Sequence, residues 1–299
     1  MNDRITGITF VMISAFIFGF TPILGKLSYA GGNNAVMLAF LRAFLAIPLL
    51  YVMLIKNNIS FSLTKKEKRD IFILSVFGSS LTTFTLYASY NYIPVGLATT
   101  LHFIYPSLVL VYSIIFLGEK ASKIQIIALF ISSIGVLFFC DFGSQISITG
   151  VMLAIVSAAS WAFNIVFLHH SGLVYLHPLK LCFYQSSIVS LLMLLFGIFS
   201  GKFTLDLTPA AMGYSFIVSL CVSIGAVSFL QMGIRYVGSM TASILSMLEP
   251  ITSIVCGLLI LNETITILNA IGCVIIVVGV ALITLFSEKK ATLGVYNKD

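Results

Sequence analysis

Two charged residues, Glu249 and Arg42, lie inside long apolar stretches of this sequence. A charge at the centre of a membrane span costs at least about 2.5–3.5 kcal/mol on insertion scales, so such residues are candidates for function. Glu249 directly precedes Pro250, which removes a backbone donor and loosens a helix. Its carboxyl could exchange a coupling proton, face a cationic group of a substrate, or only brace the broken helix. Arg42 could bind a carboxylate or anchor helix carbonyls, and we expect the structural role.

Two pairs of polar residues share the same spacing, His102 with Tyr105 and Ser246 with Glu249. Residues three apart lie on one face of a helix. Each pair is followed directly by a proline, which predicts two broken helices. We expect these helices to meet and present all four side chains to one cavity, although packing is the alternative role of an intramembrane histidine.

The elements that must position these residues are membrane helices. Of 299 residues, 59% are hydrophobic and 9% are charged, against about 25% charged in soluble domains. This composition excludes a soluble enzyme, a nucleic-acid-binding protein and a disordered chain. A span needs about 20 apolar residues, and the apolar runs predict an all-α integral membrane protein with ten transmembrane helices, at about 5–26, 34–55, 70–91, 94–117, 122–140, 149–168, 178–200, 209–234, 238–261 and 265–286. A signal segment is the alternative interpretation of the first run.

The basic residues predict the orientation, because Lys and Arg favour cytoplasmic loops. With a cytoplasmic amino terminus, Lys26 and Lys202 lie on the opposite side and Arg42 lies within a span. Both termini are then cytoplasmic in a multi-pass protein of the cell (plasma or inner) membrane. The other basic residues lie on the cytoplasmic side or at helix ends: Arg4, Lys56, Lys65, Lys66, Lys68, Arg69, Lys120, Lys123, Lys180, Arg235, Lys289, Lys290 and Lys298.

The chain contains an internal repeat. Residues 92–137 align without a gap on residues 236–281, and the matches include Pro106 with Pro250, Glu119 with Glu263 and Gly135 with Gly279. Each half holds five spans, so the second half enters the membrane from the opposite side. Inverted repeats of this kind build many secondary transporters, with the substrate near the midplane between the halves.

The repeat adds candidates for a binding pocket. At an offset of 143 positions Trp161 and Asn164 match Phe18 and Thr21 of the first span, and at an offset of 144 Gln231 matches Tyr87. Aromatic walls with a few hydrogen-bonding groups are typical of small-molecule pockets. Helix packing is the alternative for each aromatic residue. The predicted substrate-binding set is Thr21, Tyr87, His102, Tyr105, Trp161, Asn164, Gln231, Ser246 and Glu249.

The paired stretches around Tyr92–Glu119 and Tyr236–Glu263, each followed by a late Gly-Val, resemble the drug/metabolite transporter superfamily, specifically its ten-helix EamA-type members. The resemblance implies a first repeat at 5–140, a second at 148–286 and a cytoplasmic tail at 287–299. It also implies energy-coupled movement of small metabolites, frequently export of amino acids or related compounds.

Other functions are less favoured by the sequence. A lipid-linked-sugar flippase would share the fold, and a membrane-embedded enzyme is the third possibility. The HExxH, GxSxG and phosphate-loop motifs are absent from the sequence, so we expect no enzyme, no cofactor and no ATP-driven step. We also expect no metal site, no disulfide framework and no nucleic-acid partner. The expected partners are a small-molecule substrate, the lipid bilayer and a coupling proton; the oligomeric state does not follow.

Overall fold

A computed structural model describes residues 3–93, 95–138, 147–261 and 266–286. Its regular elements are helices throughout these ranges. Eight helical stretches are long and apolar enough to cross a membrane, and the longest, Pro209–Leu261, holds two passes because it turns sharply at Gly238. With the shorter helix Lys123–Leu137, this makes ten passes.

We number the passes in chain order. They are α1 Asp3–Tyr29, α2 Ala35–Lys56, α3 Lys65–Ser89, α4 Val95–His102 with Tyr105–Leu117, α5 Lys123–Leu137, α6 Ile148–His170, α7 Pro178–Phe199, α8 209–237, α9 239–261 and α10 Ile267–Phe286. The predicted all-α architecture with ten transmembrane helices in two repeats is confirmed.

One helix begins earlier than the predicted span. The span was predicted at 70–91, but α3 begins at Lys65. Thr64 closes its amino terminus as a capping box: the Thr64 hydroxyl accepts the Glu67 N–H at 3.2 Å, and the Glu67 carboxylate accepts the Thr64 N–H at 2.7 Å. Because this reciprocal pair satisfies two free backbone donors, the charged run becomes the first turns of a helix.

Both proline-marked helices are interrupted where Pro106 and Pro250 lie. In α4, the helical segments are separated by Phe103 and Ile104. In α9, a 3₁₀ turn spans Ser246–Leu248 and the α-helix resumes at Glu249. Each proline occupies the second residue of the resumed helix, where its missing N–H breaks no bond.

Two π-helical segments occupy corresponding places in the repeats. Leu74–Ser80 lies in α3 and Ser219–Ala226 lies in α8. Such segments are rare and occur frequently at functional sites. The sequence pattern did not predict them, because a π segment leaves the apolar run unbroken.

Helix packing repeats between the two halves. Helix α1 packs against α8 and α9, and its counterpart α6 packs against α3 and α4; α2 pairs with α7, and α5 with α10. Glycines set matching close contacts, because a Cβ at Gly7 would lie 2.5 Å from Tyr236 Cβ and one at Gly150 would lie 2.8 Å from Tyr92 Cβ. The halves are therefore packed as pseudo-symmetric equivalents.

The outer surface is strongly apolar. Phe116 is 71% exposed, Phe130 67% and Leu259 72%. Exposed aromatic and aliphatic side chains on this scale mark a membrane-facing surface rather than a water-facing one. Polar side chains are instead concentrated between the helices, where the candidate site lies.

Candidate binding site

Four predicted residues from the two repeats meet at the helix breaks. Tyr105 of α4 is 1% exposed, and its hydroxyl faces the side chains of Ser246 and Trp161, with the charge of Glu249 also nearby. Within the described residues this hydroxyl makes no hydrogen bond of normal geometry. An unpaired buried hydroxyl is costly, so it is available to a bound molecule.

His102 lies beside this group. Its ring centroid is 5.5 Å from that of Tyr105, and its Nδ1 is 2.9 Å from the hydroxyl of Ser157 on α6. Ser157 donates its own proton to the carbonyl of Ala154 at 2.7 Å. Nδ1 is therefore the donor to Ser157, which leaves Nε2 of the neutral ring as an acceptor.

Glu249 begins the resumed helix of α9. It is partly exposed, and within the described part of the chain its carboxyl makes no hydrogen bond or ion pair. Gly19 of α1 packs directly against the Glu249 backbone, and Phe18 packs edge-on against Trp161 at 6.0 Å. A carboxyl with aromatic neighbours and no cationic partner can hold a cationic group or accept a proton.

Asn164 is buried and donates to the hydroxyl of Ser79 on α3 at 2.9 Å. Gln185 of α7 donates to the same hydroxyl. The neighbouring Gly78 leaves room for this contact, because a Cβ there would lie 2.9 Å from Asn164 Cβ. Ser79 and Gly78 belong to the π segment of α3, so the segment joins α6 and α7 through one hydroxyl.

Sequence reasoning missed Ser79 as a polar junction. Gln185 aligns with Arg42 when the chain is offset by 143 positions, and this is the signal for it in the sequence. The repeat alignment carries this signal weakly, since a serine among many serines is not distinctive.

Tyr87 lies apart from the Glu249 group. It lines a cavity of about 300 Å³, here called the mouth cavity, which lies between α2, α3 and α7. The lining includes the loop residue Lys202 and the helix-capping residue Asn34. The residues that line the cavity include Asn34, Thr83, Tyr87, Tyr90, Phe196 and Lys202.

Arg42 lies beside the mouth cavity. Its Nη2 donates to Thr83 Oγ1 at 3.1 Å, and its backbone carbonyl accepts the Ser223 hydroxyl at 2.9 Å. Its Nε is buried and makes no hydrogen bond within the described residues. The expected structural anchoring is thus only part of what this side chain can do.

Two residues of the predicted substrate-binding set, Gln231 and Thr21, donate to backbone carbonyls instead. Gln231 is fully buried and donates to the carbonyls of Leu173, Val174 and Leu176, at 3.1, 3.4 and 2.8 Å. The Thr21 hydroxyl donates to Ile17 in its own helix at 2.9 Å. Gln231 therefore holds the α6–α7 loop, and neither residue joins the proposed site.

The repeat also pairs two glutamates, Glu119 and Glu263. Glu119 lies 3.9 Å from His169 at the end of α6, while Glu263 lies outside the described residues. Among the residues that the structure describes, there is no group of three His, Cys, Asp or Glu side chains that could hold a metal.

Ten helices in two inverted repeats, with polar side chains between them, define the architecture of a membrane transporter. The chain belongs to the EamA-like transporter family, which matches residues 5–140 and 148–285. It is 30% identical over 217 residues to "Uncharacterized transporter YvbV" of Bacillus subtilis (strain 168), with 70% of each chain covered.

Two further similarities agree with this assignment. A transporter in the sor 3′ region of Acidianus ambivalens is 27% identical over 169 residues, covering 56% of this chain and 61% of the relative. A protein of known crystal structure superposes with a TM-score of 0.80 at 14% identity, covering 93% of this chain and 96% of that one. At that identity the superposition shows the fold alone.

Proposed function

We propose that the protein is a secondary transporter that exports small metabolites, amino acids or related compounds, by alternating access between its two repeats. The observation that carries the proposal is the meeting of Tyr105, Ser246 and Glu249 at the helix breaks of the two halves, beside Trp161 of α6. A substrate held by both repeats would be carried from one membrane face to the other when the two repeats exchange their conformations.

Glu249 is the proposed ligand of a cationic group and the proposed carrier of a coupling proton. Its carboxyl has no partner within the described residues, so either occupant would neutralise it without displacing an existing ion pair. His102 and Asn164 are proposed to complete the polar wall, and Trp161 with Phe18 the aromatic one.

The test uses purified protein in proteoliposomes with a panel of labelled amino acids and an imposed pH gradient. We expect the wild type to accumulate one or more of them when the gradient is present, and Glu249→Gln to lose the dependence on the gradient. Glu67→Gln is the matched control, because Gln preserves its capping box. Gradient-driven transport that survives in Glu249→Gln would refute proton coupling through this residue.

The alternative on the same fold is a lipid-linked-sugar flippase. If the panel is not transported while a labelled lipid-linked sugar is translocated, the metabolite proposal is refuted. The proposed orientation, with both termini cytoplasmic in the cell membrane, is tested by reporter fusions to the carboxyl terminus. A reporter that is active only outside the cytoplasm would contradict it.

A further inference from the structure

The mouth cavity reaches one membrane face of the protein. Asn34 precedes α2, Lys202 follows α7, and the Asn34 amide donates to the Lys202 carbonyl at 2.9 Å. Deeper inside, the lining changes to Thr83 and Tyr87 of α3, and Tyr90 follows the end of that helix. The cavity is large enough for a molecule of amino-acid size and carries an ammonium group at its rim.

Arg42 lies next to the inner part of this cavity, in contact with its lining residue Thr83. It lies seven residues after the start of α2, which is about 10 Å into the span. Thr83 both lines the cavity and accepts the Arg42 hydrogen bond. Tyr29 lies near Arg42 and Tyr87 and adds a phenol to the same group.

The bonding of Arg42 is incomplete for a guanidinium inside a membrane. Five N–H donors are available, yet Nε is buried without a hydrogen bond in the described part of the chain, and no described carboxylate forms an ion pair with Arg42. A buried charge left unpaired is strongly unfavourable. Planar guanidinium matches a carboxylate through two parallel hydrogen bonds.

We propose that Arg42 binds the carboxylate of the transported compound, at a site in the mouth cavity that is separate from the Glu249 group. The inference rests on the proposed transport function and narrows its substrate class to small carboxylate-bearing compounds. Arg42 holds the carboxylate inside, and the Lys202 ammonium group lies at the rim through which an exported anion would leave.

A continuous row of polar groups connects the two sites. The Thr83 hydroxyl donates to the Ser79 carbonyl at 2.9 Å, and Asn164 donates to the Ser79 hydroxyl. Asn164 lies one helical turn from Trp161, which contacts Tyr105. A zwitterion can therefore move along this row, with its carboxylate bound by Arg42 at one end and its ammonium group bound by Glu249 at the other.

The experiment measures binding constants in lipid nanodiscs for three probes of similar shape: L-phenylalanine, 3-phenylpropanoate, which lacks the amine, and phenethylamine, which lacks the carboxylate. We expect Arg42→Gln to weaken both carboxylate probes by about tenfold or more and to leave phenethylamine unchanged. Arg42→Lys should restore part of the loss, because it keeps the charge but not the planar fork.

Glu249→Gln provides the opposite pattern. It should weaken phenethylamine and L-phenylalanine and spare 3-phenylpropanoate. If Arg42→Gln weakens all three probes equally, or none, or if the wild type binds neither carboxylate probe, the inference is overturned. Carboxylate binding that is insensitive to Arg42, together with amine binding that depends on Glu249, would overturn this inference alone, whereas amine binding and transport that are both insensitive to Glu249 would refute the proposed use of the central site.

Discussion

Gly19 is the point where α1 touches the Glu249 backbone, and its replacement by alanine tests the packing of the proposed site. A Cβ at residue 19 would lie 2.6 Å from Thr252 Cβ and still closer to the carbonyl oxygen of Glu249. Ordinary contact begins at about 3.4 Å. The helices must therefore separate locally by roughly 0.8 Å or more, because the nearest atom is backbone and cannot rotate away.

The expected change in the free energy of unfolding of Gly19→Ala follows from two opposing effects. Forcing an extra methyl into a close-packed interior costs about 1–3 kcal/mol. Alanine also favours helix over glycine by up to about 1 kcal/mol. Gly213 supplies the matched control, since it lies inside a helix and a Cβ there would meet nothing within 4 Å. The difference between Gly19→Ala and Gly213→Ala cancels the helix preference and isolates a clash of about 1–3 kcal/mol.

The assay is equilibrium unfolding in mixed micelles with an increasing fraction of denaturing detergent. We expect Gly19→Ala to unfold at a lower fraction than Gly213→Ala, and to bind phenethylamine more weakly because Glu249 moves with its backbone. If the two variants are equally stable and bind the amine equally well, the close packing of α1 on α9 is not as described and the reasoning is refuted.

Three further predictions use the same unfolding assay. Gln231→Ala should cost about 1–3 kcal/mol by leaving the loop carbonyls of Val174 and Leu176 without their donor; unchanged stability would contradict a holding role. Arg4→Ala should cost a similar amount, because Arg4 donates to two carbonyls at the end of α10, and faster amide exchange confined to that helix end is the accompanying sign. Gly279→Ala should separate α10 from α5, because its Cβ would lie 2.9 Å from the Ala128 carbonyl oxygen; wild-type stability would show that this helix pair tolerates expansion.

The features predicted correctly from the sequence are those that depend on residues close together in the chain. Ten apolar runs of sufficient length predict ten passes. The prolines at 106 and 250 predict the interruptions, because the loss of a backbone donor is a local effect. The repeat is equally accessible, since residues 92–137 and 236–281 can be aligned by inspection.

The side-chain contacts could not be predicted in the same way. Asn164 and Ser79 are 85 positions apart, and their contact depends on how α6 and α3 are rotated against each other. The π segment changes that rotation without changing the composition of the helix. Gln231 looked like a pocket residue because it aligns with Tyr87, but alignment reports an equivalent position and not an equivalent partner.

The packing of the helices follows the pseudo-symmetry of the two repeats, whereas the polar side chains at equivalent positions differ. The contact of Gly7 with Tyr236 is matched by that of Gly150 with Tyr92, so the two halves present similar surfaces to each other. In contrast, Tyr105 corresponds to Glu249 and Arg42 to Gln185. This combination is what alternating access would require, because exchange of conformations needs equivalent packing whereas recognition needs different chemical groups.

The same comparison shows how the two membrane faces differ in this structure. Tyr87 lines the mouth cavity, whereas its counterpart Gln231 is fully buried and bound to the α6–α7 loop. Equivalent positions are therefore accessible near one face and closed near the other. Because the repeats are related by inversion, exchanging their conformations would release the position of Gln231 and bury that of Tyr87. If the repeats exchange conformations as proposed, the loop contacts of Gln231 are bonds that the exchange would have to break.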